Sequence, residues 1–88
     1  MLHPVQASSF KKDVKRLVKR GKDMEKLKTA ILLLVEGTTL PSEYGDHSLS
    51  GNWKGYRDLH LEPDWLLIYK IEEDILYLAR SGTHADIF

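Results

Sequence analysis

Apolar positions recur with one period in the first part of the chain and another in the last. Phe10, Val14, Leu17 and Val18 stand at i, i+4, i+7 and i+8, an amphipathic helical stripe. Lys11, Lys12, Lys15, Arg16 and Lys19 fall largely off that stripe. Ser8 or Ser9 can cap this helix and Gly21 stops it. Asp23 can cap a second helix, whose apolar face is Met24, Leu27, Ile31, Leu34 and Val35 and whose end is Gly37. The connection between them is short enough to require a helical hairpin. Ahead of the helices, "LHPVQA" (2–7) fits a short strand, and Pro4 confines it to a sheet edge or a strand start.

Residues 37–52, "GTTLPSEYGDHSLSGN", read as a long loop rich in turn formers, of the kind that is often functional in a small domain. From residue 53 the period is 2. In "WKGYRDLHL" Trp53, Arg57, Leu59 and Leu61 take one side, and Lys54, Tyr56, Asp58 and His60 the other. "EPD" makes a turn. "WLLIYKI" is apolar on both faces, as a central strand is. "EED" turns again and "ILYLAR" is the next strand. The expected architecture is α+β: a small twisted antiparallel sheet, built as a meander, with an N-terminal helical hairpin packed against it.

At 88 residues, positions 1–88 form a single domain with one modest core. The absence of cysteine excludes disulfides and thiolate metal sites. "MLHPVQASSFKK" carries no apolar signal core, and no apolar run reaches membrane-spanning length. A soluble, cytoplasmic protein is expected, with no membrane association. The net charge is zero, yet residues 1–30 hold nine Lys/Arg against three Asp/Glu, and the rest hold four against ten. A basic segment of this kind meets phosphates or acidic partners, or is a solvated helix face.

The residues able to carry chemistry are His47, His60, Asp64, Arg80 and His84. Four of them fall at strand ends or turns, where polar groups escape burial. Each has an ordinary explanation: Asp64 after Pro63 is a turn residue, and Arg80 can pair with Asp58 or Glu62. Taken together they admit two active readings. Three histidines and an aspartate suffice for zinc, but no two histidines share the close spacing of common zinc motifs. The other reading is metal-free RNA cleavage. There the 2′-hydroxyl attacks its own phosphate with a base, an acid and a cation in attendance. Histidine suits the first two duties and arginine the third, while Phe88 could stack on a base.

Several stretches carry a resemblance. "DHSLSGNWKGYRDLHLEPDWLLIYKI" and "LYLARSGTHADIF" look like the YafQ-like branch of the RelE/ParE toxin superfamily, and "FKKDVKRLVKRGKDMEKLK" is similar to its basic first helices. The resemblance covers nearly the whole chain. It implies the toxin of a bacterial type II toxin–antitoxin system, an mRNA interferase acting in the ribosomal A site without a cofactor. It also implies a cognate antitoxin that wraps the toxin, and raises a heterotetramer with that antitoxin that binds operator DNA. By the resemblance His47, His60 and Asp64 serve acid–base or positioning duties, Arg80 binds phosphate, and His84 is the general acid. Trp65 and Phe88 are RNA-contacting positions, Trp65 also orienting its neighbours, although Trp65 and Trp53 taken alone read as packing more readily than as a base platform. Lys11, Lys12, Lys15, Arg16, Lys19 and Arg20 then face the phosphates of 16S ribosomal RNA. The alternatives are a non-catalytic binder like the ParE branch, which inhibits gyrase, and a metal hydrolase.

Overall fold

A computed structural model describes all residues, 1–88. Five strands form one sheet: β1 (His3–Gln6), β2 (His47–Ser48), β3 (Arg57–Glu62), β4 (Trp65–Glu72) and β5 (Ile75–Gly82). Their order across the sheet is β1-β5-β4-β3-β2. The helices are α1 (Ser8–Lys19), α2 (Met24–Glu36) and a short α3 (His84–Ile87). The α+β architecture and the helical hairpin are those expected. The sheet is mixed rather than antiparallel throughout, because β1 runs parallel to β5 along its free edge. An edge position is what Pro4 demands, since it has no N–H to give a second neighbour.

Local chemistry explains the helix limits. The Asp23 carboxylate caps α2 by accepting from the Glu25 N–H at 3.1 Å. Gly37 ends α2 in the left-handed region at φ 71°. For α1 the expected serine cap is absent. Ala7 holds the cap position, and the Ser9 hydroxyl instead donates to the Ala79 carbonyl at 2.9 Å. The inner face of α1 also differs from the apolar stripe. Phe10, Asp13 and Leu17 are buried, whereas Val18 is 57% exposed.

The core lies between the helical hairpin and one face of the sheet. Phe10, Leu17, Leu27, Ala30 and Leu34 pack there against Leu59, Trp65, Leu67, Tyr69, Leu76 and Leu78. The alternate β4 residues, Leu66 and Ile68, are equally buried but lie outside that cluster, on the opposite face. This is the two-sided burial that "WLLIYKI" forecast. The strand expected over 53–61 is shorter, beginning at Arg57. Gly51–Trp53 form a 3₁₀ turn, and Gly55 takes φ 94°, which interrupts the pleat. The long loop is also more ordered than forecast, with a 3₁₀ turn at Ser42–Tyr44 and the two residues of β2.

Two irregularities shape the far face. Pairing of β3 with β4 slips between His60 and Glu62. Pairing of β4 with β5 slips so that Tyr69 faces Leu78 while its neighbour Ile68 faces Arg80, leaving Ala79 as the extra residue. In an unbroken strand Leu76, Leu78 and Arg80 would share the core face. The bulge moves Arg80 off it by register.

Candidate active site

The sheet face away from the core gathers the polar residues by register. His47, Asp58, Ile68 and Arg80 pair in one row across β2, β3, β4 and β5, although the Arg80 guanidinium is turned to Asp13 on α1. His60, Leu66 and Gly82 form the next. Paired residues on neighbouring antiparallel strands project to the same side, so Leu66 and Ile68 floor a ridge of histidines. Directly after Gly82 the chain turns into α3, which begins at His84 and is capped by Phe88. The rings of His47 and His60 stand 6.1 Å apart, those of His60 and His84 6.0 Å, and those of His84 and Phe88 6.5 Å. Positions up to 41 residues apart in sequence thus form one exposed line, with Phe88 60% exposed at its end.

Hydrogen bonds fix how two of these rings face. His47 Nδ1 lies 2.8 Å from the Gly45 carbonyl. A carbonyl only accepts, so the proton is on Nδ1 and Nε2 is left for chemistry. Asp64 Oδ1 accepts from the His84 backbone N–H at 2.9 Å and meets His84 Nδ1 at 2.5 Å. Those two bonds, the backbone one first, hold the Asp64 carboxyl below its ordinary range. Asp64 therefore orients His84 and turns its Nε2 outward.

Arg80 is where the sequence reading needs correction. Its partner is neither Asp58 nor Glu62. Its Nε donates to Asp13 Oδ2 at 2.7 Å and its Nη2 to Asp13 Oδ1 at 3.1 Å and to the Asp86 carbonyl at 3.2 Å. The fork expected to grip a phosphate thus grips Asp13, and Nη1 remains as its free edge. Asp13 also accepts from the Ser81 N–H at 3.0 Å and from Arg16 at 2.9 Å. Asp86 forms a second node. It completes a capping box with Thr83 and receives Arg20 at 2.7 and 3.1 Å and Arg16 at 3.2 Å. The Arg20 hydrogen bond, foremost, drives its carboxyl far below the usual range. Arg16 and Arg20, expected to face RNA phosphates, are thus engaged in holding α3. Lys11, Lys12, Lys15 and Lys19 are exposed and free of ion pairs.

Trp65 is also corrected. It is wholly buried and its Nε1 donates to the Ser81 hydroxyl at 3.0 Å, so it cannot stack on a base and instead props the strand ends. Beside His60 a cleft of about 600 Å³ opens between α2 and the 42–44 turn, lined by Lys26, Tyr44, Glu62 and Pro63 among others. Asp23, Glu25 and Glu43 also line it, so its charge is acidic. A larger cavity of about 830 Å³ lies around Leu40, Asp46, Arg57 and Tyr69 and includes none of the histidines. At its wall the Tyr69 hydroxyl donates to Asp46 at 2.6 Å and Arg57 contacts the same carboxylate at 3.3 Å, which steadies the loop beside His47. No group of three or more His, Asp or Glu side chains converges closely enough to hold a metal ion.

Three carboxylates near the ridge escaped the sequence reading: Asp13, Asp58 and Asp86. For Asp58 a signal existed, since it lies in "RDLHL" two residues before His60, in period with it.

The chain matches the model of a family described as bacterial toxin of type II toxin–antitoxin system, YafQ, over residues 2–88. It is 53% identical over 83 residues to the mRNA interferase toxin YafQ of Escherichia coli strain K12, covering 93% of this chain and 90% of that protein. The crystal structure of YafQ from E. coli strain BL21(DE3) superposes with a TM-score of 0.95 at 48% identity, over 100% of this chain and 99% of that one. A chain of the E. coli DinJ–YafQ complex superposes with a TM-score of 0.93 at 48% identity and the same coverage. The chain belongs to the YafQ family of toxins of bacterial type II toxin–antitoxin systems.

Proposed function

We propose that this chain is an mRNA interferase, an endoribonuclease that cuts message presented in the ribosomal A site without a metal ion. The observation that carries this reading is the line of three imidazoles, each about 6 Å from the next. That spacing lets two rings flank one phosphate. The His47–His60 pair takes the proton of the 2′-hydroxyl. The freed oxygen attacks the adjacent phosphorus and the bond to the 5′-oxygen breaks. His84 donates a proton to that leaving oxygen, which yields a 2′,3′-cyclic phosphate and a 5′-hydroxyl. Asp64 favours this duty for His84 by stabilising its imidazolium. Arg80 offers Nη1 and its positive field to the crowded phosphorane, and Phe88 offers a stacking face.

The four free lysines of α1 give the chain a sequence-indifferent grip on ribosomal RNA phosphates. A domain of 88 residues has little surface with which to splay an mRNA, and the ribosome presents its codon already extended. Cleavage of naked RNA should therefore be poor. We further propose that a cognate antitoxin covers this chain, as DinJ accompanies YafQ in the E. coli complex. The decisive experiment compares wild-type protein with His84→Ala on ribosome-bound and naked mRNA, with 5′-end mapping and excess EDTA. The expected result is EDTA-resistant cutting of ribosome-bound message that falls about 10²–10⁴-fold in the variant. Unchanged growth arrest by His84→Ala would favour a non-catalytic, gyrase-binding toxin, and EDTA inhibition a metal hydrolase.

A further inference from the structure

Asp58 is the anomaly of the ridge. Its side chain is 5% exposed. Buried carboxylates normally have every oxygen hydrogen-bonded. Asp58 Oδ1 has no partner at all, and Oδ2 stands 3.8 Å from His47 Nε2, beyond hydrogen-bond reach. The groups that face it are His47 from β2, His60 on its own strand, His84 from α3 and Asp46 from the preceding loop, with Ile68 beside it on β4. Burial pushes the Asp58 carboxyl up, and the neighbouring imidazoles, His60 foremost, pull it partway back. Its desolvation is thus only partly offset in the resting protein, whereas a carboxylate that holds the fold together has it fully offset.

We propose that Asp58 is a positioning residue of the cleavage reaction, whose unpaired buried charge stabilises the imidazolium formed when the His47–His60 pair takes the 2′-hydroxyl proton. This rests on the nuclease reading above. Taking the 2′-hydroxyl proton adds a positive charge to the imidazole pair beside Asp58. After transfer a cation stands next to it in a region of low dielectric, where attraction is strong. An interaction that appears only as the reaction proceeds accelerates it, whereas one present throughout does not. The register of His47 opposite Asp58 builds this pairing into the sheet. A carboxylate left costly in the resting state and relieved during the reaction is the pattern of a site that gives up stability for activity.

The test is Asp58→Asn, which keeps the shape and removes the charge. The raised folded-state pKa means that ionised Asp58 lowers stability at neutral pH. The variant should therefore unfold at a temperature equal to or above that of wild type at about pH 7. Its advantage should shrink as pH falls through the elevated folded-state pKa and vanish below the ordinary value of 3.8, where both side chains are neutral. Cleavage of ribosome-bound mRNA should slow about 10–100-fold, as for the loss of an interaction that forms only as the reaction proceeds. The acid limb of the rate profile should move to lower pH. A variant markedly less stable than wild type at neutral pH, or a uniform rate loss with an unmoved profile, overturns the inference and makes Asp58 structural. Failure of the wild-type chain to cleave at all removes the nuclease reading, and this inference with it. Wild-type cleavage with an unaltered variant removes this inference alone.

Discussion

Gly82 is the residue on which α3 closes, and replacing it with alanine isolates the importance of that closure. A Cβ added there would lie 2.8 Å from Asp86 Oδ2 and 3.0 Å from Asp86 Cβ. Asp86 cannot swing aside, because the same carboxylate receives Thr83 N–H at 2.9 Å and both arms of Arg20. Ordinary contact begins at 3.4 Å, so α3 must lift by about 0.6 Å. His84 and Phe88 ride on α3 and would move with it. A misplacement of about 1 Å at a reacting group can cost ~10²-fold in rate, so Gly82→Ala should lower cleavage of ribosome-bound mRNA roughly 10-fold or more. Overpacking of this kind costs about 1–3 kcal/mol of stability, measurable by urea unfolding, and the sheet should stay folded. The loss should appear in the maximal rate rather than in ribosome affinity, since the α1 lysines are untouched. A Gly82→Ala protein that cuts at the wild-type rate would show that the position of α3 does not set activity.

Three further outcomes follow from the charges around this tail. Asp13→Ala strands Arg80 and the Ser81 N–H beside a buried gap, and should lower stability by about 3–5 kcal/mol in a denaturant titration; a loss under ~1 kcal/mol would mean that the pair is dispensable. Asp86, Asp64 and Glu62 all have carboxyls lowered in the folded state, by Arg20, by His84 and by Lys22 respectively. Their stabilisation is complete above the ordinary values of 3.8 and 4.5 and is lost as pH falls through the lowered ones, so the melting temperature should drop in acid. Asp86→Asn should flatten that drop, and an unchanged slope would contradict the assignment. Reversing Lys11, Lys15 and Lys19 to glutamate should weaken ribosome binding and its salt dependence while changing stability by less than about 0.5 kcal/mol per site. Retained salt dependence in a ribosome-pelleting assay would place the electrostatic contact elsewhere.

Much of the architecture was legible because it rests on local rules. Asp23 and Gly37 bound α2 for reasons of capping and backbone freedom, Pro4 sends its strand to an edge, and the unbroken apolar run from Trp65 makes a central strand. The histidines and Asp64 were legible from the matching motifs, and they meet because they lie at strand ends facing one side. Periodicity could not say that β1 would join β5 in parallel, since the pattern of one strand names no partner. Nor could it foresee the extra residue at Ala79. A bulge is a property of two strands together, and "ILYLAR" alternates without interruption when read alone.

The buried carboxylates show a deeper limit. Reading α1 by its apolar stripe places every charge outside, yet Asp13 stands three residues after Phe10 and four before Leu17, on the inner face. What draws it inward lies some 67 residues away: the bulge in β5 leaves the Ser81 N–H and the Arg80 guanidinium facing α1. One carboxylate answers both, and it draws in Arg16 as well, whose other arm reaches Asp86 on α3. The first helix is thereby tied to the last. The basic residues of α1 divide accordingly, with the arginines turned inward to hold the tail and the lysines left outside for polyanions. Substituting the arginines should therefore impair the seating of His84, whereas substituting the lysines should impair encounter with the ribosome. Single-turnover rates on preformed ribosome complexes separate the two. Arg20→Ala should slow the step after binding, and a variant slowed only in binding would refute the division.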